Sequence, residues 1–201
     1  FGFETSVQVA SEIITSAHHE AEGAENGIGI VKLMGRDSGF ITATASLANS
    51  VVDVCLIPET PFKIFGADGI CKELEQKLQQ NNHAVIVVAE GAGQELFEAS
   101  EKKQDASGNI LKDDIGELLK KEITAHFKNK NIPINIKYLD PSYHIRSVAA
   151  NAADAVLCHL LAEYAVHAGM SGKTNLVIGY WNNFFTHVPI KLATKERRMV
   201  D

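Results

Sequence analysis

Apolar residues along the chain follow two alternating patterns. From Glu4 to Ala21 they recur every three or four positions, which is typical of a helix with one buried face. From Ile28 to Leu33, β-branched residues fall on both faces of an extended segment, which predicts a buried strand. The alternation continues toward the C-terminus, so the pattern predicts a series of strands separated by amphipathic helices.

The later segments repeat this order. Further strands are predicted at residues 51–57, 84–89, 133–139 and 174–180. The second helix follows the turn at 34–39 and runs through residue 49, and further helices are predicted at about 67–80, 113–128 and 151–170. We expect Asp37 or Ser38 to cap the second helix, and residues 90–112 to form a loop or an insertion. Apolar strands that alternate with helices form a parallel sheet covered on both faces. The predicted fold class is therefore α/β, a three-layer αβα sandwich.

Composition narrows the functional classes. The 201 residues carry a net charge of -6, so nucleic acid is not expected as a partner, because binding it needs a basic surface. Cys55, Cys71 and Cys158 are widely spaced and odd in number, which favours buried thiols in a reducing compartment. No segment approaches the roughly 20 apolar residues of a membrane-spanning helix. No signal peptide opens the chain, and we predict a cytoplasmic protein that does not bind membranes.

The histidines do not indicate a metal site by their spacing. His18 and His19 are adjacent on a predicted helix, with no third ligand at a fitting distance along the chain. His159 and His167 are eight positions apart on a mostly apolar helix. We therefore predict surface or packed histidines and no metal ligands.

Polar residues follow the predicted strands at the edge where a parallel sheet binds its ligands. The turn after Leu33 contains Gly35, which allows the backbone to approach a ligand, and Arg36, whose guanidinium can bind a phosphate with two hydrogen bonds. Glu59 follows the second strand, and its carboxylate can accept a hydrogen bond from a sugar hydroxyl. Taken singly, each of these is more often an ordinary surface residue.

A third group follows the strand that ends at Leu139. If a helix begins near Ser142, Tyr143 and Arg146 lie three positions apart on one face. A phenol and a guanidinium placed together can hold a phosphorylated sugar. Polar groups at three neighbouring strand ends favour a sugar-phosphate pocket, although the residues alone do not name a reaction.

Four segments, in this order, resemble the 6-phosphofructokinases, most closely their plant, trypanosomatid and related bacterial branch. They are IVKLMGRDSGF at 30–40, LIPETPF at 56–62, AEGAGQ at 89–94 and DPSYHIR at 140–146. The resemblance implies a phosphofructokinase-like fold and a glycolytic kinase that transfers a phosphoryl group from ATP to the 1-hydroxyl of fructose 6-phosphate, with Mg2+ bound together with ATP. Pyrophosphate as the donor is the alternative, and a non-catalytic sugar-phosphate-binding regulatory module is a second one.

The resemblance also implies roles for residues of the first two segments. Met34, Gly35 and Arg36 match the segment that touches the sugar. Arg36 also matches the arginine that faces the transferred phosphoryl group, so we expect it to neutralise transition-state charge. Glu59 matches a glutamate that accepts hydrogen bonds from the sugar hydroxyls.

Further roles follow for the region near residue 140. Tyr143 and Arg146 match the pair near the 6-phosphate. Lys137 matches, on one residue only, a basic group that reaches into the site of a neighbouring subunit, as expected in a homodimer or homotetramer. Gly27 stands where other bacterial relatives have an arginine lent across a subunit interface, so the allosteric behaviour of those relatives is not assumed.

Two family motifs are absent from the 201 residues. They are the GGDGT loop, which holds donor phosphates and magnesium, and the TIDND segment, which provides the general-base aspartate. We expect both upstream of Phe1, and we expect the 201 residues alone to be inactive. The family plan then predicts a fructose-6-phosphate-binding domain at 1–145 and the C-terminal part of the donor domain at 146–201. The long helix at 151–170 should leave apolar side chains partly exposed.

Overall fold

The computed structural model describes residues 2–97 and 112–201. The helices in these ranges are α1 (Phe3–Glu22), α2 (Phe40–Leu47), α3 (Ile70–Asn81), α4 (Ile115–Asn129), α5 (Ser142–Arg146), α6 (Ala152–Met170) and α7 (Ile190–Ala193). The strands are β1 (Gly27–Leu33), β2 (Val54–Leu56), β3 (His83–Ala89), β4 (Asn135–Leu139), β5 (Leu176–Trp181) and β6 (Phe184–Pro189). Most of the loop predicted at 90–112 lies outside the described residues.

The chain divides into two compact units. The larger unit contains Ser6–Ser147 together with Met199–Asp201, and the smaller one contains Phe1–Thr5 together with Val148–Arg198. In the larger unit, parallel strands form a sheet in the order β2-β3-β1-β4. The predicted α/β class with a parallel sheet is therefore confirmed.

The core of the larger unit covers both faces of this sheet. Side chains of β1 and β3 alternate between the faces, because successive residues of a strand point in opposite directions. Ile30 and Ile86 pack on the side of α3 and α4, whereas Val31 and Val87 pack on the side of α1, α2 and α5. All four are fully buried. Each such burial contributes about 1.5–3 kcal/mol, so the central strands are the most strongly fixed part of the unit.

Several details of the larger unit differ from the predictions. β2 has three residues instead of seven. The Asp53 amide still donates to the Val85 carbonyl at 3.0 Å, but the Val85 amide donates to the Asp53 carboxylate at 2.9 Å and not to a strand carbonyl. Neither Asp37 nor Ser38 caps α2, whose N-cap is Gly39. Cys55 is exposed, so the prediction of a buried thiol was wrong for this residue.

In the smaller unit, β5 and β6 form an antiparallel hairpin. The sequence predicted a strand at 174–180 but did not predict β6. The two residues between the strands, Asn182 and Asn183, both have positive φ (46° and 65°), as two-residue hairpin turns require. Cys158, on α6, is exposed and not buried as predicted. α6 also exposes Val156 and Val166, as expected from the sequence.

None of the described helices has the length and apolar character needed to cross a membrane.

A buried carboxylate joins α3 to α4 in the larger unit. Glu75 accepts hydrogen bonds from His126 at 2.7 Å and from Lys130, and its side chain is only 10% exposed. These two hydrogen bonds, with a further one from Lys72 at 3.2 Å, lower the pKa of Glu75 to about 2.

We predict that Glu75→Gln destabilises the protein by about 1–2 kcal/mol near neutral pH, because it weakens charge-assisted hydrogen bonds. The pKa is lower in the folded protein, so the contribution is fully present above about pH 4.5 and is lost as the pH falls toward about 2. Urea unfolding at a series of pH values measures the difference. Glu117→Gln, which changes a carboxylate 58% exposed on α4, is the control and should shift stability by less than about 0.5 kcal/mol. A difference between wild type and Glu75→Gln that does not change with pH would contradict the assignment.

Candidate functional site

The candidate site lies at the carboxyl ends of the parallel strands. The register aligns Leu33 of β1 with Ala89 of β3, and Val31 of β1 with Leu139 of β4. The turns that follow these strands therefore emerge at one edge of the sheet. Leu56 of β2 pairs with Val88 of β3, so the turn after β2 emerges at the same edge. Together these turns carry the polar residues that the sequence singled out, apart from Lys137.

The turn after β1 is held by the loop after β3. The amide of Glu90 donates to the carbonyl of Leu33 at 2.9 Å, and the amide of Gly91 donates to the carbonyl of Gly35 at 3.0 Å. A Cβ atom on Gly91 would come within 1.9 Å of the Arg36 carbonyl oxygen, so only glycine permits this approach. The AEGAGQ segment thus supports the turn that carries Arg36.

Gly35 shapes the turn itself. Its φ is +152°, and a Cβ atom there would lie 2.8 Å from the carbonyl oxygen of Ser38. The turn leaves Arg36 half-buried beside the start of α2. Met34 packs against the core between the sheet and α1. The backbone geometry therefore fixes where the guanidinium leaves the sheet.

Glu59 makes backbone contacts that its sequence position did not reveal. Its carboxylate accepts from the amide of Gly39 at 2.9 and 3.1 Å, and Oε1 also accepts from the amide of Val200 at 3.0 Å. The residue that binds the N-terminus of α2 is thus Glu59, and this explains why no cap from Asp37 or Ser38 is needed. Because each carboxylate oxygen can accept two hydrogen bonds, Oε2 keeps the capacity to accept another.

The pKa of Glu59 reflects these contacts. Partial desolvation works to raise the pKa, but the hydrogen bonds from Val200 and Gly39 outweigh it and hold the pKa below its ordinary value. The carboxylate is therefore ionised at neutral pH and acts as a hydrogen-bond acceptor only.

α5 begins at Ser142, as the sequence predicted. Asp140 accepts from the amide and the hydroxyl of Ser142 at 3.1 and 2.6 Å, and Ile145 is fully buried in the core beneath the helix. With Ile145 facing inward, Tyr143 is 85% exposed and Arg146 is also exposed, three positions apart along the helix. Both side chains therefore project into solvent from this helix, and their binding of a phosphate stays a prediction.

A buried lysine ties β4 and α4 to β1 near the site. Lys32, with 11% of its side chain exposed, lies 2.9 Å from Asp114 and 3.0 Å from Asp140. Asp114 caps α4 and also accepts from the Tyr138 hydroxyl at 2.8 Å. Desolvation works to lower the pKa of Lys32, but its contacts with Tyr138, Asp114 and Asp140 hold the pKa above its ordinary range. The only sequence signal for this network was a lysine inside an apolar strand.

Lys137 does not lie with the other candidates. It pairs in register with Gly29, midway along β4 and not at its carboxyl end, and its ammonium group lies 3.5 Å from Glu20 of α1. Its side chain is 51% exposed on β4, which is at the end of the strand order. A role across a subunit interface therefore stays a prediction.

The family model and three curated relatives that this chain matches are phosphofructokinases. Residues 1–169 match the family model described as phosphofructokinase. The whole chain is 50% identical to the ATP-dependent 6-phosphofructokinase of Borreliella burgdorferi, of which it covers 46%. It is 49% identical over 97% of its length to ATP-dependent 6-phosphofructokinase 4, chloroplastic, of Arabidopsis thaliana (38% covered), and 43% identical to the ATP-dependent 6-phosphofructokinase of Trypanosoma cruzi (41% covered). The chain thus spans less than half the length of these relatives.

Solved structures agree on the fold. A pyrophosphate-dependent phosphofructokinase from Nitrosospira multiformis superposes with a TM-score of 0.71 over 98% of this chain and 48% of its own, at 15% identity. The phosphofructokinase of Saccharomyces cerevisiae gives a TM-score of 0.66 over 94% of this chain and 23% of its own, at 18% identity. At such low identity these structures indicate a shared fold only.

We predict that Lys32→Met destabilises the protein by about 1–3 kcal/mol, because it leaves Asp114 and Asp140 without their shared cation. Urea unfolding near neutral pH measures the change. Lys137→Met, in the same sheet but half exposed with a single weaker contact, is the control and should change stability by less than about 0.5 kcal/mol. Equal effects of the two substitutions would show that the Lys32 network does not hold this edge of the sheet.

Proposed function

Because the chain belongs to the phosphofructokinase family, we propose that it is the sugar-phosphate-binding part of an ATP-dependent 6-phosphofructokinase. The reaction transfers a phosphoryl group from ATP to the 1-hydroxyl of fructose 6-phosphate, a step of glycolysis. The observation that carries this proposal is the identity of 43–50% to relatives named for ATP, over nearly the whole chain. That these relatives are named for ATP favours ATP over pyrophosphate, the alternative donor.

In this proposal the strand-end residues bind fructose 6-phosphate. Arg146 and Tyr143 hold the 6-phosphate, because an exposed guanidinium and a hydroxyl on one helix face can both donate to phosphate oxygens. Glu59 accepts from a sugar hydroxyl through the remaining capacity of Oε2. Met34 and Gly35 contact the sugar from the turn after β1.

Arg36 has a different role. It leaves the same turn, half-buried, where a fixed positive charge can stabilise the charge that develops on the transferred phosphoryl group. A charge placed in this way acts mainly in the transition state, whereas Arg146 holds a phosphate that does not react. The two arginines should therefore affect different kinetic constants.

The residues at this edge do not fit a magnesium site. Among the described residues, no group of three histidine, cysteine or carboxylate side chains gathers at the strand ends, and both oxygens of Glu59 accept backbone amides. Because the GGDGT and TIDND segments are also absent from the sequence, we assign the magnesium ligands, the loop that holds the donor phosphates and the general base to parts of the protein outside these 201 residues. The same assignment makes residues 1–145 the sugar domain and residues 146–201 the end of the donor domain, in a homodimer or homotetramer.

We predict opposite kinetic signatures for the two arginines in the full-length enzyme. Arg36→Ala should lower kcat about a hundredfold or more, with a small change in the KM for fructose 6-phosphate. Arg146→Ala should raise that KM about tenfold or more and change kcat little, because Arg146 binds the 6-phosphate equally in the ground state and in the transition state. Steady-state assays with varied fructose 6-phosphate at saturating ATP measure both constants.

Lys121→Ala, which removes a cation 80% exposed on α4, is the control and should leave both constants unchanged. Equal effects of the two arginine substitutions on kcat and KM would contradict the division of roles. Full-length protein that binds fructose 6-phosphate but shows no turnover with ATP or pyrophosphate would instead support a non-catalytic sugar-phosphate-binding module.

A further inference from the structure

A cluster of imidazole and carboxylate groups lies at the end of the sheet opposite the candidate sugar site. His18, His19 and Glu22 belong to the last two turns of α1, and His83 is the first residue of β3. His83 pairs in register with Gly27, the first residue of β1, so it lies at the amino ends of these strands. The proposed phosphoryl transfer uses none of these side chains.

Three of these side chains already have the spacing of metal ligands. One ligand atom from each of His18, His19 and Glu22 lies within 4.8 Å of the others. Oε2 of Glu22 is 3.9 Å from Nε2 of His18 and 3.7 Å from Nδ1 of His19. A tetrahedral zinc ion with bonds of about 2.0–2.1 Å separates its ligands by roughly 3.4 Å. The side chains of His19 and Glu22 are 69% and 59% exposed, so small rotations can close the remaining gap.

His83 lies outside the group of ligand atoms within 4.8 Å of one another, but it is close enough to His18 to become a fourth ligand if these side chains move. Its ring lies beside that of His18, with 4.9 Å between the centroids. Nδ1 is 2.9 Å from the carbonyl oxygen of Asn81, and because a carbonyl only accepts, Nδ1 donates there and Nε2 is the ring nitrogen left to coordinate a metal ion. A ring nitrogen fixed on a backbone carbonyl, with the other nitrogen free to coordinate, is the usual arrangement of a metal-binding histidine.

The His18 ring turns one nitrogen toward Glu22. Its Nε2 lies 3.9 Å from Oε2 of Glu22, which is longer than a hydrogen bond, so this nitrogen can coordinate a metal ion. Its Nδ1 is buried, has no hydrogen-bond partner among the described residues and takes no part in the site.

We propose that His18, His19, Glu22 and His83 bind one divalent transition-metal ion of the zinc type. Imidazole nitrogens with one carboxylate suit Zn2+ and its relatives, whereas Mg2+ and Ca2+ prefer sites made only of oxygen ligands. The ion would join the end of α1 to the start of β3, so its role is to stabilise the fold at this end of the sheet. The site is independent of the proposed kinase activity.

The chain offers a matched control. In α6, Nε2 of His167 lies 3.8 Å from Oε1 of Glu163, at the same four-residue spacing as His18 and Glu22. No third ligand group joins that pair among the described residues. Binding that needs only a histidine and a glutamate on one helix would therefore be shared by both pairs, whereas the proposed site depends on the first alone.

The test is calorimetric titration of Zn2+ into full-length protein that has been treated with a chelator. We expect one Zn2+ to bind per chain at this site. Loss of a residue that only hydrogen-bonds a metal ligand lowers metal affinity about 10–100-fold. Since Glu22 and His19 are proposed to bind the ion directly, Glu22→Gln and His19→Ala should each weaken Zn2+ binding at least tenfold. Both residues are exposed, so these variants should fold normally. His167→Ala should bind Zn2+ like the wild type, and His83→Ala should also lose affinity.

Two further measurements accompany the titration. Zn2+ should raise the Tm of the wild type by a few degrees and that of the Glu22→Gln/His19→Ala double variant by much less, because a ligand stabilises the state that binds it. Millimolar Mg2+ should not compete. Absence of Zn2+ binding, or equal affinity in the wild type, Glu22→Gln and His19→Ala, would overturn the proposal. Unchanged affinity in His83→Ala would overturn the proposed link between α1 and β3.

Discussion

The candidate sugar site depends on one constraint, the parallel alignment of the strands of the larger unit. Parallel strands end at the same edge, so segments far apart in the sequence meet there. The backbone hydrogen bonds from Glu90 to Leu33 and from Gly91 to Gly35 then lock the loop after β3 onto the turn after β1. That register places the segments that carry Arg36, Glu59 and α5 at one edge of the sheet.

Some polar groups at this edge stabilise the fold, and others are proposed to bind the ligand. Lys32 and its two carboxylate partners hold β4 and the start of α4 against β1. Glu59 fixes the start of α2 through the Gly39 amide. Tyr143 and Arg146 remain exposed on a helix anchored from below. Lys32, Asp114, Asp140 and Glu59 thus support the edge, while Tyr143 and Arg146 project into solvent.

The sequence predicted the central elements well, because the long apolar runs of β1 and β3 and the regular face of α1 leave one periodic interpretation. The sequence did not predict the features that depend on contacts between residues far apart in the chain. The Asp53 carboxylate accepts from the Val85 amide just before β2, and the contact between Glu59 and Val200 spans 141 residues, so no local pattern reveals either. The hairpin at β6 did carry a local signal in Asn182 and Asn183, which was not used. The His18 cluster was missed because Glu22 was not counted as a ligand and His83 is distant along the chain.

The most direct test of the central claim is a crystal structure of the full-length protein with fructose 6-phosphate. The account predicts one hexose phosphate at the carboxyl ends of the parallel strands, with its phosphate in hydrogen-bond contact with Tyr143 and Arg146 and its ring near Glu59 and the turn at Gly35. A sugar bound elsewhere on the molecule, or bound at this edge without contacts to these residues, would contradict the account.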